Sequence, residues 1–291
     1  LVIYFGNKNK FFSYPEITKN YSISFIIPAY NEENTIEETI KHIFDIDYDN
    51  IEEVIVVNDC SKDNTKKIVE YLLTKYPKLR LINNEKNLGK AASLNKAWKN
   101  VNSELVAVVD ADSFPKKDSL KKMMGYFNDE KVGAVTCPIL VKNKINFWSR
   151  LQSVEYIAIS FGRKLLEYVD SIYVTPGPLA IYRKTALEDI NGFDEKNMTE
   201  DIEATWHLAH NGWDRKMSLP LHGSLDYSLP FARTGGYRLF ISDKMPFEKA
   251  LEHVQLQFSK GNVQKNIQIY GLDRGTQEVI TAVLKEALNA R

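Results

Sequence analysis

The sequence has few cysteines, no excess of charge of either sign and no long apolar run. Cys60 and Cys137 are its only cysteines, which is too few for a disulfide framework or a cysteine-rich zinc site and indicates a reducing, cytoplasmic compartment. The 38 basic and 38 acidic residues cancel, so the charge balance does not favour nucleic acid as a partner. No apolar stretch reaches the roughly 18 residues that predict a membrane span.

The rest of the composition is that of an ordinary globular protein. The 291 residues, 44% of them hydrophobic, are enough for one large domain or two small ones. The sequence opens with "LVIYFG" and not with Met, and this segment is either the stub of a longer apolar segment or a short strand or frayed end. No cationic segment precedes it, so a signal peptide is not predicted.

Short β-branched runs alternate with helical patterns over the first part of the chain. The predicted strands cover residues 22–30, 52–61, 79–84 and 103–112. Between them, apolar residues recur at helical spacing, as Ile36, Ile40 and Ile43 do. This alternation predicts βαβ units and an α/β fold with a mostly parallel sheet.

Three of these strands become polar at their carboxyl ends. The polar ends are Pro28-Ala29-Tyr30, Asn58-Asp59 and Asp110-Ala111-Asp112. Because ligands of parallel α/β sheets gather outside the carboxyl ends of the strands, we expect these residues to converge on one crevice. Two aspartates separated by one small residue can share Mg²⁺ or Mn²⁺, and ordinary loop aspartates in water are the alternative interpretation.

Two further segments carry groups that could act on a substrate. In "KNLGKAASLN", Gly89 permits a tight turn into a helix whose free amides, together with Lys90, suit a phosphate; a solvated lysine after a turn is the alternative. In "NMTEDIEATWHLAHNGW", Thr199 is placed to cap a helix that begins with Glu200 and Asp201. One of these carboxylates is a candidate general base, unless the segment is simply an acid-rich helix start.

The pattern changes beyond Pro115. Strands are predicted at 132–140 and within 173–187, the second of them near a Pro-Gly-Pro break, and a closing helix is predicted near the C-terminus. Between the two strands, apolar residues from Phe147 to Tyr168 recur at intervals of three and four, which predicts a long amphipathic helix. We expect its apolar face to pack on the core, with a membrane-surface helix as the alternative.

Six segments, taken in order, resemble those of family 2 inverting glycosyltransferases. They are "IIPAYNEE", "VVNDCSKDNT", "NLGKAASLN", "VVDADS", "TPGPLAIYRKTAL" and "TEDIEATWHLAHNGW". The sequence is most similar to the processive, membrane-linked branch that includes chitin, hyaluronan and poly-N-acetylglucosamine synthases. The resemblance implies a GT-A fold, a UDP-sugar donor (UDP-N-acetylglucosamine or a related hexose donor), a carbohydrate or lipid-linked acceptor, inversion, and Mn²⁺ or Mg²⁺ as cofactor. It also implies a location at the cytoplasmic face of a membrane.

The resemblance further implies roles for individual residues. Those on the donor side are Pro28, Tyr30, Glu32, Asp59, Lys90, Asp110, Ala111 and Asp112. The first four would border the uridine, Lys90 would lie near the diphosphate, and Asp110 would contact the nucleotide. Asp112 would bind the metal that bridges the diphosphate. Asp201 would be the catalytic base, with Glu200 and Trp206 on the acceptor side.

The sequence departs from this family in its last part. Processive members carry Gln-x-x-Arg-Trp, where this sequence has Val254, Gln257 and Phe258. We therefore predict an N-terminal extension, a glycosyltransferase domain and a divergent C-terminal helical region, which cover residues 1–21, 22–222 and 223–291. A nucleotide-sugar-binding protein with weak or no transfer activity is the alternative. A nucleotidyltransferase is a further alternative. It would need a basic, Gly-rich loop after the first strand, where this sequence has "PAYNEE", so this class is disfavoured.

Overall fold

The first half of the chain alternates strands and helices, as the sequence predicts. The computed structural model describes residues 2–142, 147–197, 199–219, 225–227, 239–240 and 269–270. Its first elements are α1 (Val2–Asn7), β1 (Ile23–Ala29), α2 (Ile36–Phe44), β2 (Ile51–Asn58), α3 (Thr65–Leu73), β3 (Leu79–Asn83), α4 (Lys90–Trp98) and β4 (Leu105–Val109). The opening "LVIYFG" segment thus contributes to a short helix and not to a strand.

The second half has shorter strands. Its elements are β5 (Ser113–Pro115), α5 (Ser119–Met123), a 3₁₀ helix (Met124–Asn128), β6 (Val132–Thr136), β7 (Ile139–Val141), α6 (Phe147–Glu167), β8 (Leu179–Arg183), α7 (Lys184–Asp189), α8 (Glu200–His210) and β9 (Asp214–Met217). The single strand predicted at 132–140 is divided into β6 and β7. Pro138 lies at the break, where its missing N–H cannot support a strand ladder.

Seven strands form the main sheet in the order β3-β2-β1-β4-β8-β6-β9. Neighbours from β3 to β4 are parallel, whereas β8 is antiparallel to both β4 and β6. Since β2 and β4 lie on opposite sides of β1, the order of the strands reverses there and opens a crevice at their carboxyl ends. The predicted α/β fold with a mostly parallel sheet is confirmed.

Smaller sheets complete the description. In the compact unit Leu1–Ser228, β10 (Leu225–Tyr227) lies between β5 and β7, antiparallel to the first and parallel to the second. In the unit Leu229–Arg291, β11 (Leu239–Phe240) pairs in parallel with β12 (Ile269–Tyr270). The predicted closing helix and Val254, Gln257 and Phe258 lie outside the described residues.

The central strands are buried on both faces. Along β1, Phe25 and Ile27 belong to one apolar cluster and Ile26 to the other. Helices α2 and α3 cover the first face, and α4 covers the second. Because both faces are apolar, the strands have continuous hydrophobic runs and not an alternating pattern. Polar residues are thereby left to the strand ends, where the site forms.

The C-terminal half of helix α6 packs on a buried apolar cluster. There Phe161, Leu165 and Tyr168 surround Phe11, which is fully buried. In the N-terminal half, Leu151 and Val154 are 51% and 64% exposed, so the expectation that the whole apolar face packs on the core was wrong for this half. Among the residues described, none of the helices has the length and apolar character needed to cross a membrane.

Candidate functional site

Asp59, directly after β2, organises the loop that leads into α4. Its side chain is buried, and Oδ1 accepts hydrogen bonds from the side-chain amide of Asn84 and the backbone N–H of Leu88, both at 2.8 Å. Oδ2 accepts a third from the backbone N–H of Gly89 at 2.8 Å. The structure therefore gives Asp59 a clear role in loop conformation, and its contact with uridine stays a prediction.

Lys90 joins two carboxylates from distant parts of the chain. It is the first residue of α4, as predicted, and it follows Gly89, whose φ of +89° suits glycine. Its Nζ lies 2.7 Å from Asp110 Oδ1 and 2.9 Å from Glu200 Oε1. Burial opposes the charge on Lys90, but the carboxylates of Asp110 and Glu200 outweigh it and raise the pKa of the ammonium above its ordinary value.

Gly177 lies directly against this ion pair. A Cβ built on Gly177 would be 2.6 Å from Lys90 Nζ and 3.4 Å from Asp110 Oδ1, and the distance to the nitrogen is shorter than real Cβ atoms show. In the sequence, Gly177 stands out only as part of a Pro-Gly-Pro break, which predicts no role for it. The contact arises because β8, which follows Gly177, pairs with β4, which precedes Asp110. The one available signal was a glycine held between two prolines.

Asp112 lies in an acidic region of the crevice. The pKa of its carboxyl is raised to about 7. The largest cause is partial burial, and the negative charges of Asp110 and Glu32 add to it. Burial also raises the pKa of Glu32, whose Oε2 accepts a hydrogen bond from the Thr35 hydroxyl at 2.8 Å. The acidic groups after β1 and β4 therefore converge, as the sequence predicts.

The loop that carries Asp112 is fixed from α2. The backbone oxygen of the buried Ala111 accepts a hydrogen bond from Thr39 Oγ1 at 2.7 Å, and Thr39 is itself fully buried. The backbone N–H of Ser113 donates to the backbone oxygen of Asp110 at 3.0 Å and closes the turn. The two aspartates thus stand on a rigid turn between β4 and β5.

The carboxylates of the crevice suit a metal ion that takes only part of its ligands from the protein. Within the described residues, no group of three or more His, Cys, Asp or Glu side chains could hold a metal ion by itself. Lys90 pairs with Asp110 and leaves Asp112 next to other negative charges. Mg²⁺ and Mn²⁺ accept one or two protein carboxylates when phosphate oxygens complete the coordination, so Asp112 fits such a metal.

Asp201 is close to the Lys90 cluster. Its partial burial, followed by the neighbouring charge of Glu200, raises the pKa of its carboxyl, and Lys90 acts in the opposite direction. Oδ1 accepts a hydrogen bond from the backbone N–H of Ile202 at 2.9 Å. Thr199 occupies the N-cap position as expected, but its side chain makes no capping hydrogen bond.

A second set of hydrogen bonds ties the start of α8 to the segment before β8. Thr205 Oγ1 donates to the backbone oxygen of Asp201 at 2.6 Å and accepts from the backbone N–H of Thr175 at 2.8 Å. Thr175 Oγ1 in turn lies 3.1 Å from the Tyr182 hydroxyl. All three side chains are buried, so this network fixes Asp201 relative to Gly177. The sequence does not predict this network, because its members are separated by up to 30 residues.

Two aromatic residues implied by the resemblance are exposed. Tyr30, after β1, has 42% of its surface accessible, and Trp206 on α8 has 59%. Pro28 lies within β1, where it faces Val57 of β2 in the register of the sheet. The structure places Pro28 and Tyr30 at the carboxyl end of β1, and their contacts with a nucleotide stay predictions.

Known proteins are similar in sequence to most of this chain. Residues 24–191 match the family described as Glycosyl transferase family 2. Poly-beta-1,6-N-acetyl-D-glucosamine synthase of Staphylococcus epidermidis is 31% identical over 214 residues, which are 71% of this chain and 52% of the relative. The Staphylococcus aureus (strain MSSA476) protein of the same name is 30% identical over 193 residues, 66% of this chain and 46% of the relative. The chain spans about half the length of these curated relatives.

Solved structures share its fold. The mannosyltransferase PcManGT from Pyrobaculum calidifontis, in complex with GDP-Man and Mn²⁺, superposes with a TM-score of 0.63 at 23% identity and covers 91% of this chain and 72% of its own. S. aureus TarS 1–349 in complex with UDP-GlcNAc gives 0.55 at 24% identity, with 81% and 66% covered. These similarities confirm the predicted GT-A fold. With the match over residues 24–191, they lead to the conclusion that the chain belongs to glycosyl transferase family 2.

Proposed function

We propose that the protein is a metal-dependent, inverting glycosyltransferase. It would move a sugar from a UDP-sugar, UDP-N-acetylglucosamine or a related hexose donor, to a hydroxyl of a carbohydrate or lipid-linked acceptor. The observation that carries this proposal is the meeting of Lys90, Asp110 and Glu200 in one crevice, with Asp112 and Asp201 close by. The poly-N-acetylglucosamine synthase relatives and the TarS complex with UDP-GlcNAc support the choice of donor.

The diphosphate of the donor would lie against Lys90 and the start of α4. Backbone N–H groups and the helix dipole favour an anion at this position, and the ammonium of Lys90, which also pairs with Asp110 and Glu200, adds hydrogen-bond donors. Asp59 holds the preceding loop in place through three hydrogen bonds. These groups would stabilise the negative charge that builds as the nucleoside diphosphate departs.

Asp112 would hold the divalent cation, Mn²⁺ or Mg²⁺. When bound, the cation would act as a Lewis acid toward the leaving diphosphate. The mannosyltransferase complex with Mn²⁺ supports this part of the proposal. Within the chain, Asp112 supplies a carboxylate that Lys90 does not neutralise, because Lys90 pairs with Asp110.

Asp201 would accept the proton of the attacking acceptor hydroxyl. Its raised pKa brings the carboxylate nearer to the pH at which a general base is effective. The hydroxyl would attack the anomeric carbon on the face opposite the diphosphate, forming the new glycosidic bond as the bond to the diphosphate breaks. A single displacement of this kind inverts the configuration and needs no covalent sugar–enzyme intermediate.

A donor screen tests the proposal. The purified chain is mixed with UDP-N-acetylglucosamine, other UDP-hexoses and GDP-mannose, with and without Mn²⁺, and both the melting temperature and release of the nucleoside diphosphate are measured. We expect Mn²⁺-dependent stabilisation by a UDP-sugar and release of UDP. Stabilisation without release would instead support the nucleotide-sugar-binding alternative.

The family resemblance also implies a location at the cytoplasmic face of a membrane, which stays a prediction.

A further inference from the structure

Lys90 is held on three sides by groups of the protein itself. Asp110 and Glu200 contact its Nζ at 2.7 Å and 2.9 Å. Gly177 lies on the third side, so close that a Cβ there would be 2.6 Å from Nζ. The lysine still has 34% of its side chain exposed. Part of the side chain is therefore accessible from the crevice, while the ammonium at its end is restricted by Asp110, Glu200 and Gly177.

Glu200 contributes to this arrangement from a distant element. Its side chain is 11% exposed, and its Oε1 points to Lys90 and so to the donor side of the crevice, although the resemblance assigned it to the acceptor side. Burying a carboxylate is costly unless a charge compensates it, and Lys90 supplies that charge. Among the residues that the structure describes, the adjacent Asp201 forms no ion pair as short as that of Glu200, which matches the different roles proposed for the two residues.

Gly177 contributes by the absence of a side chain. A Cβ at this position would lie 2.6 Å from Nζ, so an alanine would push the ammonium away from Asp110. The backbone around Gly177 cannot easily yield, because the neighbouring Thr175 is anchored to Thr205 and Tyr182. The end of the lysine side chain would therefore be the part that moves.

We infer that Glu200 and Gly177 are positioning residues that fix the ammonium of Lys90 where the donor diphosphate binds. The inference rests on the proposed function, since it assigns that diphosphate to Lys90. A free lysine side chain samples many rotamers and loses that freedom when it binds an anion. Holding Lys90 in place beforehand removes part of this loss, which is the general advantage of a preorganised site.

The first experiment measures the placement of Lys90 without any substrate. The full chain is treated with an amine-acetylating reagent at pH 8, and acetylation of Lys90 is followed by peptide mass spectrometry relative to exposed lysines in the same sample. We expect Glu200→Gln and Gly177→Ala each to speed acetylation of Lys90 by about three-fold or more, because each loosens the ion pairs that protect the amine.

Two matched variants serve as controls. Glu203→Gln removes a carboxylate one turn along α8 that lies 3.7 Å from His207. Gly162→Ala adds a Cβ to α6 where nothing lies within 4 Å. Both should acetylate Lys90 at the wild-type rate. If one test variant fails to fold, as judged by circular dichroism, the other still decides the outcome.

The second experiment measures binding of UDP and of uridine by calorimetry. Glu200→Gln should weaken UDP about ten-fold and leave uridine unchanged, because the lost interaction acts through the diphosphate. In a Lys90→Met background, Glu200→Gln should cause no further loss, since the residue it positions is gone. A purely structural role of Glu200 would weaken both ligands alike and would persist in that background.

The outcomes separate this inference from the proposed function. Wild-type protein that binds no nucleotide sugar or UDP contradicts the proposed function, and the acetylation rates then decide the placement of Lys90 alone. The inference is overturned if Lys90 reacts at the same rate in wild type, Glu200→Gln and Gly177→Ala. It is equally overturned if Glu200→Gln binds UDP at least as tightly as wild type.

Discussion

Asp112 carries a charge that its surroundings disfavour. Its pKa of about 7 lies above the value of about 3.9 expected in the unfolded chain. A carboxyl of this kind destabilises the fold when it is charged. The penalty is complete above about pH 7 and declines as the pH falls toward 4, because the folded state takes up a proton first. Active sites commonly retain such groups at the expense of stability.

Asp112→Asn should therefore stabilise the metal-free protein at alkaline pH. We expect a gain of about 1–3 kcal/mol in the free energy of unfolding at pH 8 and a gain about a third as large at pH 5. Urea unfolding in the presence of a chelator at both pH values measures this, with Asp45→Asn, at an exposed position after α2, as the control. The same variant should lose the Mn²⁺ dependence of donor binding. A loss of stability at pH 8 would contradict the prediction.

Asp201→Asn should separate turnover from binding. A general base contributes about 10²–10⁴-fold, so transfer should slow within that range while donor affinity stays nearly unchanged. The Glu203→Gln variant, on the same helix, should retain activity. Donor hydrolysis, with water as acceptor, provides a second assay if transfer is slow. Wild-type turnover of Asp201→Asn in both assays would remove Asp201 from the catalytic role.

The pH profile of the wild type provides a related test. Asp201 must be ionised to accept a proton, and its pKa is raised by burial and by Glu200. Activity should therefore decline, as the pH is lowered, at a higher pH than an ordinary aspartate would give. Initial rates at saturating donor over pH 4–9 would show this acidic limb. A profile that stays flat down to about pH 4 would contradict the raised pKa.

Residue identities were predicted better than residue partners. Lys90, Asp110 and Asp112 stand out in the sequence because they follow strands or begin a helix, and the structure brings them together. The pairing of Lys90 with Glu200 depends on the placement of α8 beside the sheet, and the contact with Gly177 depends on the pairing of β8 with β4. Neither distance along the chain nor residue type gives such long-range contacts.

At the scale of elements, the loop from β3 to α4 is set by one buried carboxylate. All three side-chain hydrogen bonds of Asp59 go to this loop, two of them from backbone N–H groups. In Asp59→Asn, an NH₂ group replaces one of the two carboxylate oxygens, each of which accepts a hydrogen bond from a backbone N–H. Two donors would then face each other, and the N–H of Leu88 or Gly89 would lose its acceptor. We expect a loss of about 2–4 kcal/mol in the free energy of unfolding and weaker binding of both UDP and uridine.

Urea unfolding and calorimetry test this expectation, again with Asp45→Asn as the control. The pattern differs from that of Glu200→Gln, which should spare uridine. If Asp59→Asn weakened uridine without changing stability, the residue would act through the base and not through the loop. Unchanged stability together with unchanged binding of both ligands would contradict the role of Asp59 in the loop.

Element boundaries were predicted where local chemistry decides them. Gly89 marks the start of α4, and the β-branched runs mark the central strands. The predictions were less accurate where packing decides: Leu151 and Val154 on the apolar face of α6 are exposed. Helical periodicity shows which residues share a face but not whether another element covers that face.

At the scale of the whole molecule, the sheet order could not be derived from the alternation of strands and helices. That alternation indicates parallel pairing, and β1 to β4 follow it. The antiparallel β8 enters beside β4 from far along the chain and brings Gly177 to the site. Family resemblance, through the ordered segments, supplied the fold that local patterns left open.

The strand β10 makes the C-terminal boundary of the larger unit testable. It lies between β5 and β7, and β5 directly follows the turn that carries Asp112. A chain that ends at residue 222, the predicted domain boundary, would lack β10. The backbone groups of β5 and β7 would then lose their hydrogen-bond partners in that strand, whereas a chain that ends at Ser228 would keep them.

Because unpaired strand edges lose hydrogen bonds and order, we expect the shorter chain to melt at a temperature lower by at least about 4 °C and to show weaker Mn²⁺-dependent donor binding. Thermal melting and calorimetry on the two chains measure this, and the full chain provides the reference. Equal melting temperatures and equal donor affinity of the two shortened chains would show that β10 does not support the turn at Asp112.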